Sequence, residues 1–522
     1  MTILGLGGLI NDPACTVLKD GKIAAAIEQK KIARRHEPGE LPLEAIACAL
    51  ELAHVSAPEV DCVALVRPFS TGPESELHLS LRERFPNGKL VVVEHHAAHA
   101  ASAYFMSPFE EAAVLTLDRI GDFRCGARWH GAGNELRLNR ELYYPDSLGD
   151  VYGRVTELLG FRANADEHKV QWLSTAGAET LAPLFTEILG LNKDTWPRID
   201  RTFFDSDRLS AGGFSLKFYQ RLRIADASAI PEAMQPLIAA GLQKAIESAV
   251  LAMVGDAPNV CLAGGLGFNA LLVSALEKSK NVFVQPMAGN AGTSLGGAIY
   301  AWHSVYQQTT RVSLEDLCFG PSFLPEQIKL VLENCKLRFR YLATMDDLID
   351  TAVEQINDQK IIAWMQGRME FGPRALGNRS ILASPLNPYS TENLNIFIKH
   401  REPFRKFAAS VPAELAGEYF ESGPNARYLA TVGRVKPAYR KTFESAVLGD
   451  GLVRVHAVER GDNPLYHRLL HAAGKSTGLP VLYNTSFNLF GDPLVCTPRD
   501  AVRSFYSSGI DSLFAGNFVL EK

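Results

Sequence analysis

The stretch 367–385, GRMEFGPRALGNRSILASP, constrains the chain more than any other. It follows the apolar run Ile361–Met365 and crowds Gly367, Gly372, Pro373 and Gly377 around Arg368, Arg374, Arg379 and Glu370. Glycines let the backbone turn tightly and approach a ligand closely, and guanidinium forks match phosphate oxygens. Two readings follow from these residues: a phosphate-binding loop, or a structural Arg/Glu network on a strand-to-helix connection.

A chain of 522 residues exceeds one ordinary core and predicts at least two domains; 47 % hydrophobic and 21 % charged residues are in the soluble globular range. A net charge of −5 argues against a nucleic-acid protein. The start, MTILGLGGLINDPAC, lacks a basic leader, and no run reaches the ~20 apolar residues of a membrane span. The expectation is a cytoplasmic protein with no membrane or nucleic-acid partner. Eight cysteines without a CxxC pair predict reduced thiols and no thiolate zinc cluster.

Residues Thr2–Gly8, Ala14–Leu18 and Ile23–Ile27, the last two joined through Lys19-Asp20-Gly21-Lys22, predict a strand followed by a hairpin. Glu28–Pro42 is charged and turn-rich, either a solvated surface segment or a substrate loop. In HHAAHAASA, His95 and His99 are four apart on an Ala-rich helix, so both imidazoles can reach one metal, while His96 points elsewhere. The strand Ala112–Leu117 ends in Asp118, a candidate third ligand. The same pair is also readable as structural histidines. Two glycine loops then enter helices: Gly264, Gly265 and Asn269 in the first, Gly289, Asn290 and Gly292 in the second. Such loops bring backbone N–H groups to a nucleotide. Cys318-Phe319-Gly320-Pro321 predicts a domain boundary. Beyond it, Lys399, Arg401 and Arg405 join the earlier arginines, with Glu402 as an orienting partner, and Arg454 lies on a predicted strand. That many cations need solvent or a polyphosphate to neutralise them. Val481–Asn488 predicts a strand ending in the small hydrogen-bonding side chains of Asn484, Thr485 and Ser486.

The wording GRMEFGPRALGNRS strongly resembles the signature of the ATP-dependent O-carbamoyltransferases, the antibiotic-tailoring and nodulation-factor family, and the resemblance runs over nearly the whole chain. It implies an α/β and α+β fold: an N-terminal ASKHA (actin/sugar-kinase-like) domain, 1–320, followed by a C-terminal YrdC-like domain, 321–522. It implies an enzyme that uses carbamoyl phosphate, ATP and Mg²⁺ to make carbamoyl adenylate, then passes the carbamoyl group to a hydroxyl of a small metabolite or sugar. Motif by motif, the catalytic residues are Arg374, Lys399, Arg405, Arg454, Ser486 and Asp12. Nucleotide contacts fall on Gly264, Gly265, Asn269, Gly289, Gly292, Arg379, Asn484 and Thr485. A divalent metal, Fe²⁺ by resemblance, falls on His95, His99, Asp118 and Asn290. A homodimer is compatible with the resemblance. The chain departs from the family pattern at Asn11, where the His-Asp pair becomes Asn11-Asp12; at Asn290, where an aspartate is usual; and at Gln171–Ser174, where a changed acceptor pocket or a core-filling Trp172 are both readable. These departures leave two alternatives: carbamoyl transfer to an amine or other nucleophile, and a degenerate nucleotide-binding paralogue acting as a partner subunit.

Overall fold

The computed structural model describes residues 1–67, 74–121, 123–191, 196–205, 210–489 and 491–522. Three sheets organise it. The first comprises β1 (Thr2–Gly7), β2 (Ala14–Lys19), β3 (Lys22–Glu28), β4 (Cys62–Val66) and β5 (Lys89–Val93) in the order β3-β2-β1-β4-β5. The expected hairpin is present. Lys19 pairs with Lys22, leaving Asp20 and Gly21 as a two-residue loop, both at positive φ, the geometry whose twist suits adjacent antiparallel strands. Of the five strands only β2 runs against the others.

The second sheet repeats this plan. Its strands are β6 (Glu111–Gly121), β7 (Arg124–Ala132), β8 (Glu135–Tyr143), β9 (Asn259–Ala263) and β10 (Asn281–Val284), ordered β10-β9-β6-β7-β8. Here β7, second in sequence, is alone in running antiparallel. Two lobes with one topology are the expected ASKHA architecture.

The third sheet has ten strands: β11 (Arg340–Tyr341), β12 (Ile362–Met365), β13 (Arg379–Ala383), β14 (Ala408–Pro412), β15 (Phe420–Glu421), β16 (Val432–Val435), β17 (Leu452–Val458), β18 (Leu482–Ser486), β19 (Ser512–Ala515) and β20 (Phe518–Glu521). Their order is β11-β20-β19-β12-β13-β18-β14-β17-β16-β15. Side chains alternate between faces along each strand. On β12, Ala363 and Met365 enter one core with Ile381, Val455 and Phe407, while Ile362 and Trp364 enter another with Leu382, Leu469 and Tyr466. Both faces are therefore covered, as in a mixed α+β domain.

The chain condenses into two compact units. One gathers Met1–Val93, Asn290–Val447 and Gly451–Lys522; the other comprises Glu94–Gly289 with Leu448–Asp450. The Gly320-Pro321 turn, read from sequence as a domain boundary, lies inside the first unit, because the first lobe and the third sheet are bonded through the 367–379 loop. The helix Gln235–Val254 sits in a segment long and apolar enough to cross a membrane, which corrects the expectation that no run reaches that length; 67 % of its most apolar window is buried within the protein.

Candidate active and metal sites

The loop after β12 is built around Glu370. One oxygen of its buried carboxylate accepts from the backbone N–H groups of Leu376 (2.8 Å), Asn378 (2.8 Å) and Arg379 (3.2 Å), which folds the GPRALGN segment around it. Arg379 is fully buried and donates to the carbonyls of Gln366 (2.7 Å), Gly367 (3.2 Å), Asn378 (3.0 Å) and Pro321 (3.1 Å). Arg368 likewise donates to the carbonyls of Gly320, Ala24 and Phe319. Two of the loop's three arginines thus brace backbone. For Arg379 this corrects the expected nucleotide contact, since a fully buried guanidinium whose two terminal nitrogens are engaged by four carbonyls presents no open fork to phosphate. Gly377 is held at φ +99°, and a Cβ there would lie 2.2 Å from the Tyr466 ring, so the turn admits only glycine.

Arg374 behaves differently. It is half-buried in the same loop, and burial lowers its pKa to about 10. Burial holds Arg454, on β17, well below its ordinary value, and the charges of Arg374, Arg401 and Arg405 push it further. Burial likewise takes Arg401 to about 9, with Arg405 adding and Glu402 opposing. Lys399 ends a π-helical turn, Leu394–Lys399, a form frequent at functional sites. Its ammonium donates to the carbonyls of Ser486 (2.5 Å) and Asn488 (2.9 Å) and to Asn488 Oδ1 (2.7 Å). Burial, with Arg401 and Arg405 adding, holds it well below its normal range. The Ser486 hydroxyl donates to the same Asn488 Oδ1 at 2.8 Å. Asn484 donates to the Ala375 carbonyl at 3.0 Å, tying β18 to the loop, and its own buried Oδ1 has no hydrogen-bond partner among the described residues. Thr485, half-buried, pairs with Ile381 across β13 and β18. Cations that destabilise one another's charge are relieved by a polyanion, and bidentate guanidinium pairing selects phosphate.

The other unit contains a separate constellation. Glu94 caps the helix His95–Tyr104, its carboxylate accepting from His96 N (3.0 Å) and Ala97 N (2.8 Å). One turn apart on that helix, His95 and His99 both direct Nε2 at Asp118 Oδ2, at 2.8 and 3.1 Å. His96 turns away, bonded to Thr116 Oγ1 and the Arg124 carbonyl. β6 does not stop at Asp118 but continues to Gly121; its register with β7 breaks between Leu117 and Gly121, which frees Asp118 from regular pairing. Gly265 N donates to Asp118 Oδ1 at 2.9 Å. Gly264 takes φ +90° and passes so close to Leu117 that a Cβ would lie 2.3 Å from its carbonyl oxygen. Burial would raise the Asp118 carboxyl, but hydrogen bonds from His95 and His99 outweigh it and hold the group well below the carboxylate range. Burial lowers His99, so it favours the neutral imidazole that ligates metals. The three ligand atoms lie within 4.8 Å of one another. Two imidazoles and one carboxylate fit a divalent ion of the Fe²⁺ type with positions left open. If they hold one, carefully loaded wild type will retain about one more equivalent by elemental analysis than His99→Ala; equal, negligible metal in both would leave the histidines structural.

Residues 76–299 match the carbamoyltransferase N-terminus family and residues 353–522 the carbamoyltransferase C-terminus family. An uncharacterised Synechocystis protein, sll1178, is 32 % identical over all of this chain and 96 % of its own length. The nodulation protein NolNO of Sinorhizobium fredii is 31 % identical, covering 98 % of this chain and 79 % of its own. The chain belongs to the carbamoyltransferase family. A further member, the 3'-hydroxymethylcephem-O-carbamoyltransferase of Amycolatopsis lactamdurans, is 30 % identical over 49 % of this chain and 47 % of its own.

Other expected site residues of this carbamoyltransferase are placed as follows. Asn269 caps the helix Ala270–Glu277, and its Oδ1 also accepts from Gln171 (2.8 Å) and Gln243 (3.2 Å), while its Nδ2 donates to Gln243 Oε1. Its carboxamide is therefore committed to holding the first glycine turn, a correction to the expected nucleotide contact. Gln171 joins that network, and Trp172 is buried, which accounts for the changed segment as core. Gly289 packs against the Phe268 ring. Asn290 and Gly292 stand at the head of the helix Gly292–Tyr300, in the unit that does not contain His95, His99 and Asp118; the Asn290 carbonyl accepts from Thr293. Asp12 is ion-paired with Lys30.

Sequence reasoning missed Glu28 and Lys31. The segment 28–42, read as surface or substrate loop, begins with this buried pair: Lys31 Nζ contacts Glu28 Oε1 at 2.9 Å and donates to the carbonyls of Glu370 (2.9 Å) and Gly372 (2.6 Å). Gly372 N returns a bond to Glu28 Oε1 at 3.0 Å. Arg34 then donates to the carbonyls of Leu494 and Pro493. The Glu-x-x-Lys spacing was the available signal, but it is common on solvated helices.

Proposed function

We propose that this carbamoyltransferase makes carbamoyl adenylate from ATP and carbamoyl phosphate in its C-terminal domain and transfers the carbamoyl group to a hydroxyl of a small acceptor. The supporting observation is the gathering of Arg374, Arg401, Arg405 and Arg454 with Lys399 around one another's charge. Water cleaves carbamoyl phosphate to carbamate and inorganic phosphate; a carbamate oxygen then attacks the α-phosphorus of ATP, the Pα–O–Pβ bond breaks and pyrophosphate leaves. The arginines hold the phosphate oxygens as negative charge builds on them, and Lys399, fixed by Ser486 and Asn488, stands among them as a point charge. In the second half-reaction the acceptor oxygen bonds the carbamoyl carbon and AMP leaves. His95, His99 and Asp118 would hold a divalent ion, iron by family resemblance, which supplies Lewis acidity near the acceptor. The purified chain with carbamoyl phosphate, ATP and Mg²⁺ will release pyrophosphate only when carbamoyl phosphate is present; no release under those conditions would end this reading.

A further inference from the structure

A second convergence of imidazoles lies beside the third sheet, made by residues given no role above. The helix Pro464–Thr477 places His467 and His471 four residues apart, so their side chains occupy one face one turn apart, with ring centroids at 4.7 Å. Glu414 lies in the turn Ala413–Leu415 directly after β14 and reaches both rings. His467 Nε2 stands 3.0 and 3.1 Å from its two oxygens, and His471 Nε2 stands 2.7 Å from Oε1. The three ligand atoms lie within 4.8 Å of one another.

A single salt bridge needs only one of these histidines. Here both present the same ring nitrogen to one carboxylate from a rigid helical spacing, the donor pattern of an open His₂-carboxylate site. In a tetrahedral shell with bonds of about 2.0–2.2 Å, neighbouring ligand atoms stand about 3.3–3.6 Å apart. The nitrogen–oxygen separations here, 2.7, 3.0 and 3.1 Å, are shorter by about 0.2–0.9 Å. Glu414 and His471, with side chains 52 % and 37 % exposed, are free to spread by that amount, while His467, at 11 %, is the fixed point.

We propose that Glu414, His467 and His471 bind a divalent ion of the zinc class, with the remaining position left to water. The ion displaces the proton each imidazole directs at Glu414 and clips the helix Pro464–Thr477 to the end of β14. That helix begins at Asn463, whose side chain donates to Asn378 Oδ1 (2.8 Å) and the Leu376 carbonyl (3.3 Å), and Tyr466 fills the space beside Gly377. An ion one turn further along therefore stiffens the support of the Arg374 loop.

The proposal does not depend on the carbamoyl-adenylate reading, and Zn²⁺ alone is the probe. Calorimetric titration of the full chain with Zn²⁺ is compared among wild type, His471→Gln, Glu414→Gln and His99→Ala. One tight equivalent of the wild type should weaken by at least about 100-fold in both His471→Gln and Glu414→Gln. It should persist in His99→Ala, which touches only the other cluster. Zn²⁺ should also raise the thermal midpoint of wild type and His99→Ala more than that of His471→Gln. Circular dichroism checks folding, and Glu414→Gln, which keeps an acceptor for both rings but loses the anion, decides the matter if His471→Gln does not fold. Unchanged stoichiometry and affinity in whichever of the two folds would overturn the site and leave the three residues a salt-bridge cluster.

Discussion

Arg374→Ala is expected to lower carbamoyl-phosphate-dependent pyrophosphate release by on the order of 100-fold or more, the loss of a charge-assisted phosphate clamp that strengthens in the transition state. Stability should not fall with activity. Arg374 is one of the charges that make the Arg454 cation costly, so its removal relieves Arg454. Arg379→Ala provides the contrast: it strips donors from four carbonyls and empties buried volume, so it should lower the thermal midpoint rather than select against chemistry. A stopped pyrophosphate assay alongside a thermal melt separates the two outcomes. An Arg374→Ala variant that turns over normally would remove Arg374 from the proposed phosphate site.

Lys31→Met is expected to cost about 3–5 kcal/mol of stability, because it leaves Glu28 as an uncompensated charge in a dry site. Lys31 and Glu28 are 4 % and 2 % exposed, and the Lys31 ammonium serves the Glu28 carboxylate and two carbonyls of the 367–379 loop. The double variant Glu28→Gln/Lys31→Met should recover part of the loss, since an amide can still accept from Gly372 N without carrying charge. Denaturant unfolding of the three proteins measures this. Equal stability of Lys31→Met and wild type would mean that the pair is solvated.

What could be read from sequence had a local cause. The Asp20-Gly21 hairpin and the His95/His99 spacing both depend on neighbours a few residues apart, where periodicity and turn chemistry apply. The limits were set by long-range partnership. Arg368, Arg374 and Arg379 look alike in the loop, and only the fold assigns two of them to carbonyls and one to the cation cluster. Asn269 carries the right residue type for a ligand contact, yet Gln171 and Gln243, distant in sequence, claim its amide. Glu28 and Lys31 were hidden because their partners lie more than three hundred residues away. Of the two alternatives of the Arg-rich stretch, the structural brace describes Arg368 and Arg379, and the anion site is the role proposed for Arg374.

The helix Gly292–Tyr300 has a consequence for how the protein is made. It lies against β1, where a Cβ at Gly5 would stand 2.0 Å from the Ser294 carbonyl and one at Gly7 would stand 2.3 Å from Thr293 Oγ1, and Ser294 shares a hydrogen bond with Thr16 at 3.0 Å. The first five strands are finished by Val93, but this cover for them is nearly two hundred residues further on. At translation rates of about 5–20 residues per second, the ribosome takes roughly 10–40 s to supply it. During that interval the nascent first lobe presents an uncovered apolar face to the cell, while the second lobe, encoded wholly within the gap, has time to close ahead of it.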